Sequence, residues 1–184
     1  MTNWGAMIIP TLTAERFVLR AFREDDVPAL TALHSDPDVM RYLRPNGTVE
    51  TRPRQAWDYI AEQLGHWHMK GCGKWAMADR DSDVLIGRVG YFGPPYEWPG
   101  LELGWTLSRA IWGKGYATEA ARLALDWGFE THGWNEVISA IIEGNAPSVR
   151  VAERLGMRLL RQDRLHDAPC SIYGTTRAAW FKAT

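Results

Sequence analysis

Leu101–Ala120 reads LELGWTLSRAIWGKGYATEA, and its two halves differ in kind. LELGWTL, residues 101–107, has the apolar and aromatic character of a strand. From about residue 115 to 131 the apolar residues recur at helical spacing, until His132-Gly133 ends the pattern. EVISAII, residues 136–142, follows as an apolar run suited to a centrally buried strand. Strand, helix and strand in this order make a βαβ unit, with parallel strands joined by a right-handed crossover. At the junction Gly113 and Gly115 flank Lys114. Glycines there let backbone N–H groups approach a ligand, and the helix start beyond them carries partial positive charge, so the junction suits an anion.

The flanking segments extend this unit into a mixed sheet. Arg16-Phe-Val-Leu-Arg20 alternates apolar and basic residues as an edge strand does, and Glu24-Asp25-Asp26 opens a helix over about 25–35. VMRYL, after Asp36-Pro37, is a short helical turn broken by RPNGT. Between Thr51 and Met69 the spacing of Trp57, Ile60, Ala61, Leu64 and Trp67 predicts a helix with these residues on one face, closed by Gly71-Cys72-Gly73. KWAMAD and VLIGRVGYF, separated by DRDSD, read as an antiparallel hairpin, and the prolines of GPPYEWPG bar regular structure. NAPSVRVAERLGM reads as a turn and short helix, and the tail as one or two strands. Helices on the faces of a mixed sheet are the expected architecture.

A chain of 184 residues is long enough for one domain with a real core, read here as residues 1–184 with its core at about 12–180. Its 21 Lys and Arg against 22 Asp and Glu are scattered, which argues against a nucleic-acid partner. Two distant cysteines, no charged-then-apolar leader and no long apolar run predict a reduced, cytoplasmic protein without membrane attachment. Ten tryptophans are many, and Trp4, Trp98, Trp112 and Trp134 stand in polar or Gly/Pro surroundings that suit a groove or an interface, monomer and homodimer both being compatible.

Three readings of the glycine junction fail or stay weak. A P-loop needs Gly-x4-Gly-Lys-Ser/Thr, and Ser108 and Gly115 occupy two of its fixed positions wrongly. A dinucleotide fingerprint needs a third glycine where Thr118 stands. Glycines serving only turn geometry remain the plain alternative. In a fourth pattern, Trp112-Gly-Lys-Gly115-Tyr-Ala117 resembles the Gln/Arg-x-x-Gly-x-Gly/Ala fingerprint of the GNAT superfamily of acetyl-CoA-dependent N-acyltransferases, with Trp112 in place of the usual Gln or Arg. ELGWTL, WGKGYATEA and NAPSVRVAERLGM in this order, with LTAERFVLRAFREDDVPAL ahead of them, are similar to the branch containing the ribosomal-protein N-terminal alanine acetyltransferases.

The resemblance implies a single α/β domain of mixed α+β type. Its twisted sheet would be mixed, mostly antiparallel and splayed between the fourth and fifth strands, with helices on both faces. It implies acetyl-CoA as cosubstrate, no metal, and an acceptor amine. The diphosphate of coenzyme A would lie on the amides of Gly113, Lys114, Gly115, Tyr116, Ala117 and Thr118, with Gly115 and Ala117 mattering because they are small. Main-chain groups of Trp105, Thr106 and Leu107 would take the pantetheine arm, beside Trp112, Asn145 and Ser148.

Acyl transfer from a thioester to an amine needs a neutral nucleophile, an oxyanion stabiliser and a proton for the thiolate. Glu102 is the first candidate base, directly or through water, with Glu97 and Glu143 as alternatives. By the same resemblance the Leu107 amide is the oxyanion donor. The tyrosine that many relatives use as acid falls on Ala152 here, so Ser148 is the available hydroxyl, while Asn145 and Ser148 also suit helix N-capping. Tyr173 is a core residue or reaches the cleft. Tyr91, Phe92, Tyr96 and Trp98 are expected to wall an acceptor groove with the early helices. His66 and His68 point to different helix faces without ligand spacing, and Cys170 near His166 lacks a nucleophile motif. A coenzyme A or nucleotide sensor without turnover, and acetylation of a small-molecule amine, are the alternatives to acetylation of a protein N-terminus.

Overall fold

The computed structural model describes residues 8–43, 47–93, 98–165 and 167–183. Eight strands form one sheet in the order β1-β2-β3-β4-β5-β6-β8-β7. They are β1 Leu12–Thr13, β2 Phe17–Arg20, β3 Lys74–Asp79, β4 Leu85–Phe92, β5 Glu102–Leu107, β6 Glu136–Ile142, β7 Arg158–Leu165 and β8 Ala168–Thr176. Among the described residues only β5 and β6 pair in parallel. They are the two arms of the βαβ unit, joined by α4, Tyr116–Thr131. The strand expected at the sheet edge, β2, lies one place in, because Leu12–Thr13 pairs antiparallel with it.

One sheet face carries α1, Val27–Ser35, and α3, Pro53–Lys70, which pack Leu30, Leu33, Ala56 and Ile60 onto Ala76 and Leu85. The start of this layer is tied to β2 by a buried ion pair in which Arg20 Nη1 and Nη2 each donate to Asp26 at 2.8 Å, while Arg20 Nε donates to Asp83. Asp26 thus acts as a buried partner of Arg20 as well as a member of the acidic helix start. On α3 the buried positions are Ala56, Ile60, Gln63 and Trp67, so Ile60 and Trp67 of the expected face are buried while Trp57, Ala61 and Leu64 are exposed. Trp57 and Leu64 are 45% and 37% exposed. Several apolar sectors compete on this helix, and contact with the sheet selects the one spaced 56, 60, 63 and 67.

The opposite face is covered by α4, whose Ala120, Ala121, Ala124, Leu125 and Phe129 pack against Trp75, Met77, Val89, Tyr91 and Leu103. Small residues let the helix approach closely. At Gly128 a Cβ would collide with the Tyr91 hydroxyl, which donates to the Ala124 carbonyl at 2.7 Å. Around this contact Trp67, Trp75, Trp127 and Trp134 form an aromatic cluster, and Trp134 stacks on His132. A short α2, Pro37–Met40, an α5, Ala146–Arg154, and an α6, Arg177–Ala183, complete the described helices. The last of these is absent from the sequence-based expectation for the tail. Trp180 of α6 is buried and its indole donates to Asp126 of α4 at 2.7 Å.

Candidate active site

β5 pairs with β4 over six residues but with β6 at a single position, Glu102↔Ile138. The parallel strands therefore part just beyond that pair. The fourth and fifth strands of the expected fold are β5 and β6 here, since the two-residue β1 precedes them. At the fork the Ile138 amide still donates to the Leu101 carbonyl at 2.9 Å. One step further the hydroxyl of Ser139, not a backbone amide, meets the Leu103 carbonyl at 2.6 Å.

The β4–β5 register determines which main-chain groups face the gap. Ser108 N–H bonds the Ile86 carbonyl, so Thr106↔Arg88 and Gly104↔Gly90 are the hydrogen-bonded pairs. The N–H groups of Trp105 and Leu107 accordingly point away from β4, toward the parting strands. Those of Thr106 point into the ladder, which corrects the expectation that its main chain serves a ligand. The Leu107 carbonyl is met by the Trp112 indole N–H at 2.8 Å. Trp112 is otherwise 46% exposed, and it holds the turn after β5 against the strand end.

The glycine junction has the conformation an anion cradle requires. Gly113 and Gly115 have φ of +73° and +83°, in the left-handed region, and Gly115 caps α4. A Cβ at Gly113 would meet nothing within 4 Å, and one at Gly115 only an Arg16 nitrogen at 3.9 Å. Backbone conformation rather than lack of room within the protein is the reason for both glycines. The first helical turn bond runs from Glu119 N–H to the Gly115 carbonyl. The amides of Tyr116, Ala117 and Thr118 precede it and have no intrahelical acceptor, and the Thr118 hydroxyl is buried without a partner. These groups fit a diphosphate.

Lys114 does not aim at this cradle: its Nζ bonds the Ala110 carbonyl at 2.9 Å and it is exposed. The cation beside the helix start is Arg16, a residue that the sequence alone did not single out. Arg16 donates to the Lys114 carbonyl and to Glu119, and its guanidinium lies 4.1 Å from the Tyr116 ring centroid. Its partners are about a hundred positions away in sequence, so only the folded chain brings them together.

A cleft of about 350 Å3 opens at the fork, roofed by α1, α2 and α3. Glu102, Gly104 and Thr106 share its β5 floor with Lys74 and Arg88. Trp98 N–H donates to Glu102 at 2.9 Å, and the Ala140 amide also bonds this carboxylate. Burial pushes the Glu102 pKa up from the ordinary carboxylate value, opposed by Lys74, the Trp98 and Ala140 hydrogen bonds, and Arg88. Phe92 stacks edge-to-face on Trp98 at 4.9 Å to form one wall. Trp105 lines the cleft, whereas Leu107 is beyond its lining, toward the glycine junction.

Asn145 and Ser148 line the far side. Asn145 also caps α5 by accepting from the Ser148 amide at 3.3 Å, so capping and cleft placement coexist. Ala152 is fully buried in the core. Tyr91, expected in the groove, is fully buried on the opposite face, because neighbouring strand residues alternate sides and Phe92 takes the cleft side. Tyr173 packs against the core and Glu143 is exposed at the end of β6, neither lining the cleft. His66 bonds the Cys72 carbonyl and stacks on Phe92. Cys170 is buried with Ile138 and Ile172, and burial pushes its thiol pKa up, the reverse of an activated nucleophile. Trp4, Glu97, Tyr96 and His166 are outside the described residues.

Comparison with known proteins agrees with this fold. A family model described as an acetyltransferase (GNAT) domain matches residues 16–158. The chain is 30% identical over 149 residues to "Uncharacterized N-acetyltransferase p20" of Bacillus licheniformis, covering 80% of this chain and 82% of that one. A solved acetyltransferase of Agrobacterium tumefaciens superposes with a TM-score of 0.79 at 30% identity, over 91% of this chain and 94% of its own. A ribosomal-protein-S5-alanine acetyltransferase of Vibrio fischeri shares the fold at 16% identity, with a TM-score of 0.75 over 94% and 99% of the two chains. The family uses acetyl-CoA, and the orphaned amides and Thr118 hydroxyl of the junction are compatible with it. The chain belongs to the GNAT acetyltransferases and is an acetyl-CoA-dependent N-acetyltransferase.

Proposed function

We propose that this enzyme acetylates a primary amine presented in the cleft between β5 and the early helices, by direct transfer with acetyl-CoA and acceptor bound together. Acetyl-CoA supplies the activated acetyl thioester. The observation that carries the reading is the position of Glu102, on the floor of the cleft at the fork where β5 leaves β6. A carboxylate with a raised pKa is a stronger base than an ordinary one, and the cleft lets it take a proton from an incoming ammonium directly or through water.

The chain's other groups divide the remaining work. The cradle from Gly113 to Thr118 would hold the diphosphate, and the Leu107 amide the arm. The Trp105 amide is the better oxyanion donor, because Trp105 lines the acceptor cleft and Leu107 does not. Ser148, across the cleft, is the hydroxyl available to the departing thiolate. The roof of α1–α3 and the Phe92–Trp98 wall would limit water. A peptide N-terminus is one acceptor class to consider, offered by the name of the Vibrio fischeri neighbour through analogy of fold alone.

A thiol-release assay with acetyl-CoA across peptides of varied N-terminus, amino acids and polyamines tests this. Turnover with at least one amine, with no acetyl-enzyme formed in its absence, is expected. Acetyl-CoA binding without release for every amine would replace the enzyme by a sensor.

A further inference from the structure

Arg88 is an anomaly of the cleft. It is 7% exposed, on β4, facing the side of the sheet that carries Glu102 and Lys74. Its Nη1 donates to the Tyr59 hydroxyl at 2.8 Å and its guanidinium carbon is 4.6 Å from the Tyr59 ring centroid. Its Nε is buried with no hydrogen-bond partner, and it makes no ion pair with any carboxylate among the described residues. Of the acids lining the cleft, Glu62 is exposed on α3 and makes no ion pair with Arg88, and the other two are engaged elsewhere. Glu50 pairs with His34 at 3.1 Å, and Glu102 is held by Trp98 and the Ala140 amide. The other buried guanidinium among the described residues, Arg20, shows the contrast, bonding both Asp26 and Asp83.

Glu102 attracts Arg88 across the cleft floor but does not pair with it, and a buried cation without a directly bonded carboxylate is costly, so proteins keep such a group where something else supplies the contact. Arg88 lines the cleft that receives the acceptor. A guanidinium presents parallel N–H donors in a fork that matches a carboxylate. Nearby, the Gln63 side-chain oxygen is also buried and unpartnered in the same lining, ready to accept from an N–H donor. An unpaired cation and an unpaired acceptor in one cavity complement a molecule that carries both an anion and a polarised N–H.

We propose that Arg88 receives a carboxylate borne by the acceptor, so that the preferred substrates are amines that also carry a carboxylate, either a free amino acid or a peptide with an acidic residue beside its N-terminus. This rests on the acetyl-transfer reading above and narrows its acceptor class. Arg88 is then a specificity-determining residue.

The test uses the full chain and matched acceptors: L-phenylalanine against L-phenylalaninamide, and C-terminally amidated tripeptides with Asp against Asn at the second position. The wild type is expected to favour at least one carboxylate member by about tenfold or more in kcat/KM, mainly through KM. Arg88→Gln should bring that ratio to near one, and Arg88→Lys should leave an intermediate ratio, retaining charge without the fork. The pair that shows the preference distinguishes the free amino acid from the acidic peptide. A wild-type ratio near one for both pairs, or a ratio kept in Arg88→Gln, overturns the proposal. Binding of 3-phenylpropionate against 3-phenylpropionamide in the presence of coenzyme A, read by calorimetry, decides Arg88 without turnover. Tighter carboxylate binding that disappears in Arg88→Gln supports it, and equal binding overturns it. Absence of turnover with every amine, alongside carboxylate-selective binding, would count against the acetyl-transfer reading and leave the Arg88 site standing.

Discussion

The hydroxyl of Ser139 on β6 donates to the carbonyl of Leu103 on β5 at 2.6 Å, where a parallel ladder would place a backbone amide. One side chain thus spans the strands as they separate. Ser139→Ala leaves the buried Leu103 carbonyl without this donor and should cost about 1–3 kcal/mol, measured by denaturant unfolding. An unchanged midpoint would show that water or a backbone shift replaces the hydroxyl.

Glu102 links rate and stability through one pKa. Its carboxyl is raised by burial, so the folded state binds this proton more tightly than the unfolded chain. Stability contributed by the protonated form is therefore lost as pH rises from the unfolded pKa through the folded one. Glu102→Gln should melt higher than the wild type near pH 8 while turning over about 10²-fold or more slower, and should lose the acidic limb of kcat/KM. Persistence of that limb would assign it to the acceptor amine.

The cradle can be separated from the fold at Gly115. At φ +83° an alanine pays the left-handed penalty of about 1–2 kcal/mol, and a Cβ meets only Arg16. Gly115→Val adds bulk on the ligand side. It should weaken acetyl-CoA binding by more than tenfold in calorimetry, with the circular-dichroism spectrum of the wild type. Wild-type affinity in that variant would move the diphosphate elsewhere.

Asp26 anchors the layer that roofs the cleft. Its side chain is 5% exposed and that of Arg20 7%, with two 2.8 Å bonds between them. Asp26→Ala strands a buried guanidinium with Asp83 alone and should lower unfolding stability by about 3–5 kcal/mol. A loss below 1 kcal/mol would mean that Asp83 or solvent takes over the charge.

Where local pattern and tertiary environment agree, the chain was legible residue by residue. EVISAII became β6 at 136–142, and the helix after Gly115 runs Tyr116–Thr131, because an apolar run and a 3.6-residue period each allow one burial solution. The buried sector of α3 was legible only in part: Ile60 and Trp67 are buried as expected, but Trp57 and Leu64 are as apolar as they are, and only contact with the sheet chooses among sectors. Tyr91 and Phe92 looked equivalent until the strand's pleat sent one to the core and the other to the cleft.

The sequence by itself determined the βαβ unit, the glycine junction and the family, since these are encoded in contiguous spacing and in backbone preferences that a few residues carry. Only the tertiary structure decided that Arg16 braces the junction, that Trp105 rather than Leu107 lines the cleft, and that Arg88 is buried in the cleft with Glu102 yet makes no ion pair among the described residues. Those facts depend on strand register and on contacts between segments far apart in sequence. Pairing energies of that kind are set by the whole packed chain and leave no local periodicity to read.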